Sequence, residues 1–234
     1  MLADKSKQTH TQCAKKHQKE QYGAKMTKVT KSVEKVKLTR EEIQKNILQA
    51  AIYEFSRHGF IGTSTQSIAE RAGLRKSQLH YYIVDKEDLY NQVLSKLFRA
   101  WGRLSELKSD SQTPAEILKH YIYVKLQFAL KYPDLSRVFT MEILSGGERL
   151  APFWPSALHN TKLNAEVINN WVQQGKIRSL DGRLLMMNIW ALTQYYADYR
   201  IQAELVMSAS LDESDLQDCL VNEVTTLILK GCGL

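Results

Sequence analysis

From Ile43 onward, apolar residues return every three or four positions, and Ile43, Ile47, Ala51 and Phe55 form one stripe that ends at Gly59. That spacing turns one face of a helix toward a core. Thr39, with Glu42 three residues later, has the form of a capping box and opens the helix. Two shorter segments follow between positions 63 and 86. Ile68, Ala69 and Ala72 mark the inner face of the first, which Thr65 is placed to cap, and Leu79, Tyr82 and Ile83 mark that of the second. Gly73 stands between them, where a chain leaving a helix often turns left-handed, a conformation that costs a side chain roughly 1 kcal/mol. The pattern predicts a helix-turn-helix. Lys76, Ser77, Gln78, His80 and Tyr81 then lie on the second helix away from its buried positions, with donors able to reach phosphates and base edges.

Asp85 caps a longer helix from Lys86 through Tyr90, Val93, Leu94, Leu97, Phe98 and Trp101, long enough to join two domains. After a polar break at 108–113, Thr113-Pro114-Ala115-Glu116 opens the next helix, and Tyr132-Pro133 ends it. Leu135 to Leu144 and Leu158 to Gln174 read as further helices, separated by Ser145-Gly146-Gly147 and by Pro152 with Pro155. Asp181 caps a helix whose stretch from Leu184 to Leu205 is apolar on nearly every face, which predicts burial all round. The last helix, Asp212 to Lys230, shows one stripe of Leu216, Leu220, Val224, Leu227 and Ile228. Period-two alternation is not sustained anywhere. The expected fold is all-α. A disordered basic tail (1–38) precedes a three-helix helix-turn-helix DNA-binding domain (39–85, motif about 64–83) and a helical effector-binding and dimerisation bundle (86–234).

The charge pattern sharpens this division. The net charge is +7 over 234 residues, yet the first 40 hold eleven Lys and Arg against three Asp and Glu, so the rest is close to neutral. The basic character belongs to the tail, where it can add non-specific phosphate affinity or do nothing specific. The isolated His10 and His17 there do not make a metal site. Cys13, Cys219 and Cys232 show no C-x-x-C pairing and read as free thiols in a reducing cytoplasm. No leader-like or membrane-spanning apolar run is present, so a soluble cytoplasmic protein is expected.

From Arg40 to Leu89 the chain resembles the DNA-binding domain of TetR-family transcriptional regulators, through Gly59-Phe60, Thr65 to Ala69, Ala72 to Leu74, Leu79 to Tyr82 and Lys86 to Leu89. It departs at Ile83, where Phe is usual, and at Arg75, where a small hydroxyl residue is common. The resemblance implies an operator surface of Thr63, Thr65, Arg75, Lys76, Ser77, Gln78, His80, Tyr81 and Lys86, with Lys86 on a backbone phosphate. It also implies a homodimer built on 184–205 and 212–230. A narrower resemblance, over about 121–204, is to pyrimidine-utilisation repressors that sense uracil or thymine. It rests on Tyr132-Pro133, Ser136-Arg137, Met141-Glu142, Trp171-Val172, Gly175-Lys176, Ile189-Trp190-Ala191, Thr193-Gln194 and Tyr196-Ala197-Asp198. It implies an effector site drawn from Arg137, Met141, Trp171, Trp190, Gln194, Tyr195 and Asp198.

The residues support a pocket on their own terms. Trp190, Gln194 and Asp198 recur every four positions on an otherwise apolar helix, and Trp171 ends the helix before it. Buried amides and carboxylates need partners, since an unpaired one costs about 1–3 kcal/mol. A ligand is one such partner. The neighbouring backbone for Gln194, Arg200 or Arg137 for Asp198, and a plain core role for the tryptophans are others. A lipophilic effector, or a non-specific nucleic-acid-binding module built on the basic arm, are the alternative functions. No phosphate loop, zincin motif or nucleophile elbow is present, Glu142 near Arg137 reads as a buried ion pair, and neither cofactor nor metal is expected.

Overall fold

The computed structural model describes residues 38–104, 107 and 112–234, so the basic tail with Cys13, His10 and His17, and most of the break at 108–113, lie outside the described residues. Ten α-helices and one 3₁₀ turn are found among them, with no strand. Helix α1 (Arg40–Gly62) buries Ile47, Ala51 and Phe55 as its stripe requires, and Gly59 breaks its geometry at φ 63°, ψ −176°. Helix α2 (Thr65–Arg71) is capped by Ser64 rather than Thr65. The Ser64 hydroxyl accepts the Ser67 amide at 3.0 Å, and the Ser67 hydroxyl faces the Ser64 amide at 3.4 Å. A cap must be extended, as Ser64 is at φ −109°, ψ 153°, whereas Thr65 is already helical. Gly73 takes φ 71° in the turn before α3 (Lys76–Tyr82).

Asp85 opens α4 (Lys86–Leu104) by accepting the Asp88 amide at 2.7 Å, and the Thr113–Glu116 capping box opens α5 (Pro114–Lys131). Then come α6 (Pro133–Leu144), the 3₁₀ turn at Glu148–Leu150, and α7 (Trp154–Gln173). The stretch expected as one helix from Leu184 to Leu205 is two, α8 (Gly182–Asp198) and α9 (Arg200–Met207), broken at Tyr199 (φ −107°, ψ 29°). Nor is it buried all round. Leu185, Met186, Ile189, Thr193 and Ala197 face the core, while Leu184, Met187, Tyr195, Ile201, Leu205 and Val206 are exposed. Helix α10 (Ser214–Cys232) buries Leu216, Leu220, Val224 and Ile228, but Leu227 is 60% exposed.

Residue 86 does not separate two cores. Tyr90, Val93, Leu94 and Leu97 of α4 share one apolar cluster with Phe55, Ile68 and Leu79, and Phe128, Leu135, Val138 and Leu150 from the bundle join it. Helix α6 packs along α1, so residues 40–234 form one compact unit. A second cluster unites α5, α7, α8 and α10. No helix among the described residues is long and apolar enough to cross a membrane.

Candidate functional site

On α3, the fully buried Leu79 anchors the helix, and Arg75, Lys76, Ser77, Gln78, His80 and Tyr81 are all exposed. One helix face thus gathers cationic, hydroxyl, amide and imidazole groups within reach of a groove. The Gln78 carboxamide oxygen accepts the Arg75 amide at 2.8 Å, which leaves its NH₂ group to donate outward. Arg40 lies over the Tyr81 ring at 5.9 Å and Tyr82 packs edge-on against it. Thr65 is half-buried at the start of α2. Thr63 is not a surface residue. It is 3% exposed and its hydroxyl donates to the Gly59 carbonyl in the last turn of α1 at 2.8 Å. Lys86 is drawn to the same turn. Its ammonium donates to the Phe60 and Thr63 carbonyls, each at 3.0 Å, and lies 4.3 Å from the Phe60 ring centre. Two of its three donors therefore tie α4 to the end of α1. Ile61 and Val84, 85% and 80% exposed, flank this face without any signal in the apolar periodicity.

Behind this surface lies a buried polar joint. Glu142, 2% exposed, accepts the Tyr90 hydroxyl at 2.8 Å and the Arg149 amide at 3.0 Å, with the Arg149 guanidinium 3.9 Å away. The Glu142–Arg137 pair expected from sequence does not form. Arg137 turns instead to Asp134 (3.4 Å) and the Ala197 carbonyl (2.9 Å), on another side of α6. Burial and the Glu142 carboxylate both push the Tyr90 hydroxyl pKa well up. Arg149 also stacks on Phe60 (3.8 Å) and reaches Glu87 (3.4 Å). Met141, expected at the effector site, packs here, with its methyl 3.5 Å from where a Cβ on Gly59 would stand.

A second polar group lies between α6 and α8. The Thr140 hydroxyl donates to Asp198 at 2.9 Å, and the Gln194 amide reaches Asp198 at 3.0 Å and Thr140 at 3.3 Å. One turn away on α8, the Trp190 indole N–H donates to the Tyr121 hydroxyl at 2.8 Å. Burial raises the Asp198 pKa above the ordinary carboxylate value, while the Gln194 and Thr140 hydrogen bonds and the Arg137 charge oppose it. Arg137, Gln194 and Asp198 thus come together between α6 and α8, with Trp190 one turn along α8. Trp171 is 6% exposed and lies in the apolar core of α5, α7, α8 and α10, the same cluster that holds Tyr121 and against which Trp190 packs. Tyr195 points away, stacked on Tyr199 at 5.3 Å and donating to Gln202, because it follows Gln194 by one position and so emerges on another face. Sequence reasoning missed Thr140 and Tyr121, whose partners lie 58 and 69 positions away. An open cleft of about 510 Å³ lies elsewhere, bordered by Asn46, Tyr53, Lys96 and Tyr132. No group of three or more His, Cys, Asp or Glu able to hold a metal occurs among the described residues.

Two family models match the chain: "Bacterial regulatory proteins, tetR family" over residues 47–93 and "YcdC-like protein, C-terminal region" over residues 92–234. The HTH-type transcriptional regulator RutR of Escherichia coli (strain K12) is 38% identical over 193 residues, covering 80% of this chain and 89% of its own. Among solved structures, the ketosteroid transcriptional regulator KstR2 of Mycobacterium tuberculosis superposes with a TM-score of 0.66 at 17% identity, covering 80% of this chain and 93% of that one. A TetR-like transcriptional regulator from Rhodococcus sp. RHA1 gives 0.62 at 21% identity, covering 83% and 98%. At such identities these two speak for the fold alone. With a helix-turn-helix presenting a polar α3 and a model match spanning the whole bundle, the chain belongs to the TetR family of bacterial regulatory proteins, DNA-binding transcriptional regulators, and carries a YcdC-like C-terminal region.

Proposed function

We propose that this protein is a dimeric, cytoplasmic repressor that binds a near-palindromic operator and releases it when a pyrimidine such as uracil or thymine binds between α6 and α8. The observation that carries the effector reading is the Thr140–Gln194–Asp198 group beside Trp190 and Tyr121. It places an amide, a carboxylate and a hydroxyl beside two flat rings, which suits the alternating N–H and C=O edge of a pyrimidinedione. The resemblance of residues 121–204 to pyrimidine-utilisation repressors supports the same class. Dimerisation is supported by the apolar side chains of Leu184, Met187 and Tyr195 on α8 and Leu227 on α10, which a monomer leaves in water.

Release has a route through α6. Thr140 faces the polar group, whereas the adjacent Met141 and Glu142 touch Gly59, Tyr90 and Arg149 at the root of the DNA-binding helices. A ligand that re-pairs Thr140 shifts a helix already bonded to α4, and linkage then requires operator DNA to weaken ligand binding by the same factor. The test is operator selection from random duplexes followed by anisotropy titration with and without uracil and thymine. Binding that neither pyrimidine alters, with no calorimetric heat from either, defeats the pyrimidine reading. A lipophilic effector would then lead, supported by the aromatic wall of Phe98, Trp101, Phe139 and Phe153.

A further inference from the structure

The open cleft beside Tyr53 and Tyr132 has no part in the readings above, and its walls come from both the DNA-binding helices and the bundle. Asn46 and Gln49 stand on α1, Arg71 at the end of α2, Lys96 on α4, Lys131 at the end of α5 and Leu135 on α6. Neither α3 nor the Thr140–Gln194–Asp198 group contributes to its lining. Its volume of about 510 Å³ falls within the roughly 300–1,000 Å³ usual for small-molecule sites. Two of its charged groups are already answered. Arg71 donates its Nε to Glu54 and lies 3.3 Å from the Tyr53 ring centre, and Asp134 is met by Arg57 at 3.2 Å and Arg137 at 3.4 Å. The two ammoniums are not. Lys96, half-buried, and Lys131, exposed and 5.5 Å from the Tyr132 ring centre, form no ion pair among the described residues. A concave surface that gathers unanswered charge of one sign concentrates ligands of the other.

We propose that this cleft is a second small-molecule site, and that it takes a phosphate monoester with a hydroxylated body, the chemistry of a sugar phosphate. Such an ester carries about 1.5–2 negative charges at neutral pH on three acceptor oxygens. That head suits two ammoniums, each a compact charge with three donors and no fixed plane. A carboxylate is matched best by the planar fork of a guanidinium, and the guanidinium that lines the cleft is held by Glu54. The exposed carboxamides of Asn46 and Gln49 offer donors and acceptors to hydroxyl groups, and Ala50 and Leu135, both buried, supply an apolar floor. A ligand so held touches α1 and α2 on one side and α4 and α5 on the other, beside the contact of α6 with α1.

The test is calorimetry of the full chain at neutral pH and fixed ionic strength with ribose 5-phosphate, ribose, inorganic phosphate and succinate. Ribose 5-phosphate should bind about tenfold or more tighter than inorganic phosphate, which has no body for the carboxamides, and than succinate, whereas ribose should give no heat. Each lost charge-assisted hydrogen bond should weaken the ester by about tenfold or more in Lys96→Gln and in Lys131→Gln, with thermal unfolding showing both variants folded. Equal affinity for the three anions would reduce the cleft to unspecific counter-ion attraction, and tighter binding of succinate would replace the phosphate by a dicarboxylate; either result overturns the proposal. So does an affinity for the ester that neither lysine variant changes, which would put the ester elsewhere. A parent protein that does not bind the ester overturns it as well, and a loss of random-duplex affinity in the two variants would then assign the ammoniums to DNA phosphates. None of these outcomes depends on the pyrimidine reading of the α6–α8 group.

Discussion

Removing the Tyr90 hydroxyl tests the joint between the DNA-binding helices and the bundle. In Tyr90→Phe the ring keeps its place, since Tyr90 is fully buried and packs edge-on against Phe55 at 4.7 Å and Phe60 at 5.1 Å. The carboxylate of Glu142, itself 2% exposed, loses the donor at 2.8 Å, and little water can replace it. A hydrogen bond to a buried charge is worth about 1.5–3 kcal/mol, so a loss of about 2 kcal/mol is expected. For a unit of this size that lowers Tm by roughly 4–8 °C. Glu142→Gln should cost a similar amount, because it leaves the Arg149 guanidinium at 3.9 Å facing a neutral amide. If one network is at work, the double variant loses less than the two single losses together, by about 1 kcal/mol or more. Chemical denaturation at one fixed protomer concentration measures all four proteins. Losses that add to within about 0.5 kcal/mol would show that the two residues act independently and that the joint is no unit.

Gln78→Ala or His80→Ala should weaken operator binding by about 1–3 kcal/mol and leave random duplex unchanged, as read by anisotropy; equal loss on both DNAs would assign the side chain to the backbone. Lys86→Ala should lower Tm as well as weaken every DNA alike, because it strips the Phe60 and Thr63 carbonyls of their donor, and an unchanged Tm would mean that the inward hydrogen bonds are dispensable. Leu184→Asp with Leu227→Asp should convert a dimer to a monomer in sedimentation, and a persistent dimer would place the interface elsewhere. Asp198 has a raised folded-state pKa, so the native state holds its proton more tightly than the unfolded chain. Stability should therefore fall as pH rises from the ordinary carboxylate value through the raised one, and Asp198→Asn should lack that fall; identical profiles would count against burial as the cause.

The helices themselves were legible in the residues. Stripes at three and four positions, the capping pair Thr113 and Glu116, Asp85, Gly59 and Gly73 are local signals, each acting within about one turn, and each stands in the structure where its chemistry placed it. The outward face of α3 was legible for the same reason, since burying Leu79 leaves its neighbours no other side. Periodicity says that a face is buried, but not against what. It could not show that Thr63 and Lys86 turn inward to satisfy carbonyls at the end of α1, or that Glu142 pairs with Tyr90 and Arg149 rather than Arg137. Nor could it bring Thr140 to Asp198, 58 positions on, or Trp190 to Tyr121, 69 positions apart. The apolar run from Leu184 to Leu205 misled for a related reason. A side chain that a second copy of the chain would cover carries the same sequence signal as one covered by its own fold, and only the packing of α8 separates Leu185 and Ile189 from Leu184 and Met187.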